Sequence, residues 1–203
     1  MDRNTGFESL INTMKQNKEV IAEACDAGLE AAESVPFLGW ALKLWNVKNT
    51  YQEHKLYRNV KSFWQASAIG DAEEFRTKFA TTKDADEFVD TLVQVLIDSE
   101  KPYKAVMVSN ITNALSRGIL TYEEANDLNL LVLNASLPAL KSLPKFYIKL
   151  QGGKYIPTTL LEDTDKDGEH SMLNSLGLIY RWADQTALSK IGRNLAQIAY
   201  KGL

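Results

Sequence analysis

Residues Val20 to Trp45 read VIAEACDAGLEAAESVPFLGWALKLW, and the reading of this stretch decides the fold. Ala24, Gly28 and Ala32 recur every four residues, so one helical face is small enough for another backbone to approach closely. Membrane helices and tight soluble helical hairpins share that trait. The charges separate the two. Glu23, Asp26, Glu30, Glu33 and Lys43 all lie within the stretch, and an acid at the centre of an inserted helix costs about 2.5–3.5 kcal/mol. No span reaches the 18 or so apolar residues that a transmembrane helix needs. The Ser34-Val35-Pro36 break then reads as the corner of a hairpin: the residue before proline avoids the α region, and proline is favoured at the first position of a new helix.

Upstream of the corner, Phe7, Leu10, Ile11, Met14, Val20, Ile21, Ala24 and Ala27 step by three and four, which predicts a helix over 7–33. Downstream, Leu38, Leu42, Trp45, Tyr51, Leu56, Val60, Phe63 and Trp64 continue the spacing over 36–66. Lys43, Lys48, His54, Lys55, Arg58 and Lys61 face a single acid there, Glu53, so an acidic helix is followed by a basic one and complementary antiparallel packing is expected. Asp84 caps a helix to about 99, Lys101-Pro102 starts another that stops at Arg117-Gly118, and Thr121 with Glu124 forms a capping box for a helix toward 142. FYIKLQGGKYIP alternates apolar and polar residues about Gly152-Gly153, the pattern of two short paired strands.

The predicted architecture is mainly α. A long antiparallel helical hairpin packs in a helical bundle (residues 1–143), and a small C-terminal α+β, winged-helix-like cap follows (residues 144–203). With 203 residues, 45% hydrophobic and 24% charged, the chain is long enough to bury about 70% of its unfolded surface without a disulfide or metal. Cys25 is the single cysteine, which fits a reducing compartment. The opening MDRNTGFESL lacks the apolar run of a secretory leader. A cytoplasmic protein is expected, peripheral to the inner membrane at most.

The net charge of −3 argues against a surface given over to nucleic acid. Two histidines, His54 and His170, without cysteine or histidine at ligand spacing, argue against zinc. No arginine precedes either histidine at the four-to-six-residue interval of a helical ribonuclease toxin, and no nucleophile elbow, phosphate loop or dinucleotide fingerprint occurs. An enzyme is not expected. Asp163, Asp165, Asp167 and Glu169 with Gly168 match the first half of a calcium-binding EF-hand loop, whereas Asn174 stands where the bidentate glutamate belongs. Calcium is therefore the only candidate ion and no cofactor is expected; the plain alternative is an acidic turn preceding a helix.

Trp40, Trp45, Tyr51, Tyr57, Phe63 and Trp64 crowd the basic helix. Phe37, Leu38, Trp40, Trp45, Lys48, Tyr51, Lys55 and Arg58 are the candidate partner or membrane face, because tryptophan beside lysine suits both a protein hot spot and a headgroup layer. The plain alternative is a core helix with aromatics inward and lysines in water.

Two resemblances bear on function. Leu173-x-x-Leu176-Gly177-Leu178-Ile179 followed by Leu188-x-x-Ile191-Gly192-x-x-Leu195 resembles the closing elements of a winged-helix domain, with Ser189 near its threonine position; Arg181, Lys190, Arg193 and Lys201 would be its phosphate contacts. The Pro36-Phe-Leu-Gly39 break, the Lys61-Ser-Phe63-Trp64 phrase and the Gly-Leu-Ile ending together resemble a group of small bacterial helical proteins found as companions of mobile-element and phage-defence loci. That resemblance implies a non-enzymatic interaction module, bound to another protein or to itself, acting in defence, counter-defence or toxicity. The alternatives are a soluble-at-rest pore-forming effector using the 20–64 hairpin, and a nucleic-acid-binding regulator using the C-terminal part.

Overall fold

In the computed structural model, which describes residues 4–28, 31, 34–45, 50–149, 155–157, 169–182 and 185–203, the chain is mainly helical. Where the spacing predicts one helix over 7–33 there are two, α1 (Asn4–Met14) and α2 (Lys18–Ala27). Asn17 divides them: its backbone is extended (φ −69°, ψ 135°), and its side chain accepts the Glu19 N–H at 2.9 Å. A short amide that bonds the backbone locally starts a helix rather than continuing one. Gly28 closes α2 at φ 92°, so it terminates the small-residue stripe, and Ala32 lies outside the described residues. Pro36 does open a helix, α3 (Pro36–Leu44), and α4 (Thr50–Ala66) forms separately.

A hairpin folded at Pro36 would set α2 against α3 and α1 against α4. Instead α1 packs on α3 and α2 packs on α4. Local bonds explain the exchange. Val35 offers α3 no side-chain cap, and Thr13 of α1 supplies it, its hydroxyl oxygen accepting the Phe37 N–H at 2.9 Å while donating to Ser9 O. Gly6 lets the Trp40 indole lie directly on α1, where a Cβ would come within 2.5 Å of the ring. The expected charge complementarity is present across α2 and α4, as the Asp26–Lys61 ion pair.

Four more helices complete this unit: α5 (Ala72–Arg76), α6 (Thr82–Asp98), α7 (Tyr103–Ser116) and α8 (Tyr122–Asn134). The cap of α6 is Thr81, three residues ahead of the expected Asp84, which returns the bond to the Thr81 N–H. Thr121 and Glu124 form the expected reciprocal pair, and Gly118 takes φ 67° at the end of α7. Phe7, Phe75, Phe79 and Phe88 pack ring to ring at 5.0–6.3 Å between α1, α5 and α6.

Helix α7 is buried almost all round and packs on α4, α5 and α6. Its polar residues serve its neighbours. Ser109 Oγ donates to Phe63 O at 2.7 Å, Asn113 Nδ2 donates to Ala66 O at 3.1 Å, and Lys18 Nζ donates to Ser67 O, so the last carbonyls of α4 gain the partners that a helix end lacks. Asn59 of α4, fully buried, donates to both Leu96 O and Ser99 O at 2.8 Å and does the same for α6.

The chain divides into two compact units, Met1–Leu133 with Gly202–Leu203, and Asn134–Lys201. The division falls ten residues before the expected 143/144 boundary. The reason is α9 (Leu137–Ser142), which Ser136 caps and which packs on α10 (Glu169–Ser175); the Tyr200 hydroxyl also donates to Leu140 O at 2.5 Å. Within the second unit β1 (Tyr147–Lys149) pairs antiparallel with β2 (Tyr155–Pro157), the two strands expected about Gly152-Gly153. A second ribbon, β3 (Ile179–Trp182) with β4 (Gln185–Leu188), was not foreseen. It leads into α11 (Lys190–Ala199) through Ser189, whose N–H donates to Leu178 O and whose hydroxyl accepts the Gly192 N–H.

Candidate functional site

The basic, aromatic segment splits by helical phase. In α4, Leu56, Tyr57, Asn59, Val60, Phe63 and Trp64 point inward, while Tyr51, His54, Arg58 and Gln65 are exposed. Glu100, just after α6, gathers one part of the outer face. The Tyr51 hydroxyl donates to Glu100 Oε2 at 3.0 Å, Lys55 Nζ to Oε1 at 3.3 Å, and an Arg58 Nη to the Glu100 carbonyl oxygen at 2.6 Å. The Tyr51 and Lys55 bonds hold the Glu100 carboxyl below its usual range, and the same carboxylate raises Tyr51. Glu100 thus anchors three side chains, Tyr51 and Arg58 exposed and Lys55 half-buried. Asn59, gripping Ser99 O one residue earlier, sets where Glu100 stands.

The eight expected face residues have different fates. Phe37 and Leu38 are wholly buried and belong to the core. Trp40 is half-buried, against Gly6 and 6.2 Å from the Phe37 ring. Trp45 is 38% exposed and Tyr51 67% exposed. Lys55 is half-buried, Arg58 is exposed, and Lys48 lies outside the described residues. Asp163, Asp165 and Asp167 lie outside them too, as does the side chain of Glu169 at the start of α10. Among the described residues no three His, Cys, Asp or Glu side chains come together as a metal site. No described helix is long and apolar enough to cross a membrane.

Leu44, 41% exposed beside Trp45, is part of the surface that the helical spacing did not single out, since Leu38 and Ala41 carry the buried stripe of α3 and Leu44 lies off the apolar spacing. Glu100 was missed for a different reason: a lone glutamate before Lys-Pro carries no local signal of its long-range partners.

A second feature adjoins α4. Between α2 and α4 lies an open groove of about 450 Å³, with Cys25 and Asp26 on one wall. The other wall is His54, Tyr57, Arg58, Lys61, Ser62 and Gln65. Burial, reinforced by Asp26, pushes the Cys25 thiol up to about 11, so it stays protonated at neutral pH and is no nucleophile.

Compared with protein-family models, with curated proteins and with solved structures, the chain matches none of them.

Proposed function

We propose that this protein is a non-enzymatic interaction module that binds another protein, or a second copy of itself, through the exposed residues at the end of α3 and along the start of α4. The observation that carries the reading is the exposure of Leu44, Trp45 and Tyr51 within eight residues of sequence, with Lys43 beside them and Arg58 one to two turns along α4. Trp, Tyr and Arg are the residues enriched at interface hot spots. Tyr51, Lys55 and Arg58 are already held by Glu100, so little side-chain freedom remains to be lost on docking. The wider role, in bacterial or phage defence, counter-defence or toxicity and in the cytoplasm, rests on the resemblance carried by Pro36–Gly39, Lys61–Trp64 and Gly177–Ile179.

The Trp45 and Lys43 pair favours a second reading, peripheral attachment to an anionic membrane, since tryptophan settles at headgroup depth and lysine meets anionic lipid. The helix–ribbon–helix order from α10 to α11, with Ser189 capping the last helix, supports keeping a winged-helix-like cap in view, and Arg193 on α11 is exposed.

Light scattering on the purified chain and affinity capture from its own host lysate test the proposal, each with the wild type and with a Trp45→Ala/Tyr51→Ala pair. One saturable protein partner or a stable oligomer, lost in the double variant, is expected. Flotation with phosphatidylglycerol vesicles that fails in the double variant, with no partner and no oligomer, would replace the protein reading by the membrane one.

A further inference from the structure

We propose that α8 is a detachable strap, which opens from α6 and α7 while α1–α7 keep their packing. Polar side chains tie its two ends, and its middle carries a buried amide that no described residue bonds. At the start, Glu87 of α6 collects two side chains of α8: Asn126 Nδ2 donates to Glu87 Oε1 at 3.0 Å, and the Tyr122 hydroxyl is hydrogen-bonded to the same carboxylate. At the end, Lys104 of α7 donates to the Leu133 carbonyl oxygen at 2.9 Å.

Asn129 lies between these ties, wholly buried, and neither of its amide atoms has a partner among the described residues. Asn126 Oδ1, on the same face one turn earlier, is buried and unpartnered there as well. Folded interiors leave few such groups. Other buried amides of the same unit show the contrast: Asn59 and Asn113 each donate to main-chain carbonyls of a neighbouring element. A desolvated amide regains water when its helix opens, so Asn129 weakens the closed position of α8 at the point where Leu128 and Val132 hold it.

Packing agrees. Helix α7 is laid against α4, α5 and α6, whereas α8 meets each described neighbour only narrowly. Glu87 is exposed and Lys104 half-buried, so water can replace the α8 partners of both. Elements held by accessible bonds and narrow contacts are those that open before the whole molecule unfolds. Release of α8 uncovers the apolar stripe Ala125, Leu128 and Val132, all three buried in the closed position.

Native-state hydrogen exchange of the full chain, read by mass spectrometry where the opening equilibrium sets the rate, tests this. Amides 126–133 should exchange about tenfold or more faster than the slowest amides of α4, α6 and α7, with little change as urea rises toward the unfolding transition. Asn129→Leu, shown to be folded by circular dichroism, should slow them about fivefold, which is about 1 kcal/mol at about 1.4 kcal/mol per tenfold. Glu87→Ala, at an exposed position of α6, removes both ties at the start of α8 and should speed the same amides about tenfold. Exchange of α8 at the rates and urea dependence of α4, α6 and α7 would make it part of one cooperative core and overturn the proposal. So would exchange that is unchanged or faster in Asn129→Leu, or that matches the wild type in Glu87→Ala.

Discussion

Replacing Asn59 by Ala tests how the proposed docking face is held, because this one amide joins α4 to the end of α6. Its Nδ2 serves two carbonyls, Leu96 O and Ser99 O, each at 2.8 Å, in a site with no solvent exposure. Leaving a buried carbonyl without its donor costs about 1–3 kcal/mol. The two need not be additive, and Asn59 Oδ1, itself buried without a partner among the described residues, is removed in the variant. The expected loss is therefore about 2–4 kcal/mol, a large fraction of the 5–15 kcal/mol typical of a domain. Asn129 on α8 makes the matched control. It too is wholly buried, but neither of its amide atoms has a partner among the described residues, so Asn129→Leu removes desolvated polar groups and should be neutral or stabilising by about 1 kcal/mol. Urea unfolding followed by tryptophan fluorescence in a Trp182→Phe background reports on Trp40, Trp45 and Trp64, all in the first unit. With a slope of about 2 kcal/mol/M, within the usual range, Asn59→Ala should move the midpoint down by about 1–2 M. Because Asn59 also sets Glu100, the variant should weaken partner binding at temperatures where it is still folded. Equal midpoint shifts for Asn59→Ala and Asn129→Leu would refute the reasoning, since they would make burial alone, rather than bonding, the source of the cost.

Three further outcomes follow from close approaches and from titration. Gly192→Ala should unfold or rearrange the second unit, because a Cβ there would overlap the Leu178 carbonyl, a backbone atom that cannot swing away; retention of wild-type near-ultraviolet dichroism would contradict this. Gly6→Ala drives a methyl into the Trp40 indole and should cost about 1–3 kcal/mol as overpacking, with a red-shifted tryptophan emission as the indole is displaced; an unchanged spectrum and midpoint would count against the packing described. For Cys25 the sign is set by the raised thiol: its contribution is complete below pH 9, where the thiol is protonated in the unfolded chain as well, and is lost as pH rises from 9 to about 11. At about 1.36 kcal/mol per pH unit that loss is about 2.7 kcal/mol, and it should vanish from the pH profile of Cys25→Ala; parallel profiles would exclude the effect.

The same residues show where local reading stops. Pro36 as a helix start, the Thr121–Glu124 box and the Gly118 stop were legible because each acts over three or four residues of backbone. Asn17 is just as local, yet it was read through: the apolar spacing from Phe7 to Ala27 stays in phase across the break, and phase says nothing about whether the backbone between is helical. Of the residues expected on one outer face, the structure separates the exposed from the buried. Tyr51, Lys55 and Arg58 lie on it, while Phe37 and Leu38 were swept inside with the rest of α3.

By itself the sequence determined that the chain is mainly helical, that helices begin at Pro36 and after Thr121 and stop at Gly118, and that no stretch is long and apolar enough to cross a membrane, since propensity, capping and apolar length are properties of contiguous residues. Only the tertiary structure decided that α1 joins α3 and α2 joins α4, that Asn59, Ser109 and Asn113 are caps rather than surface, and that Glu100 collects the outer face. A helical period specifies which side of a segment is apolar. It does not specify which of several equally apolar sides it will meet; that choice rests on bonds such as Thr13 to Phe37 and spaces such as the one Gly6 leaves for Trp40, which exist only once the helices are together.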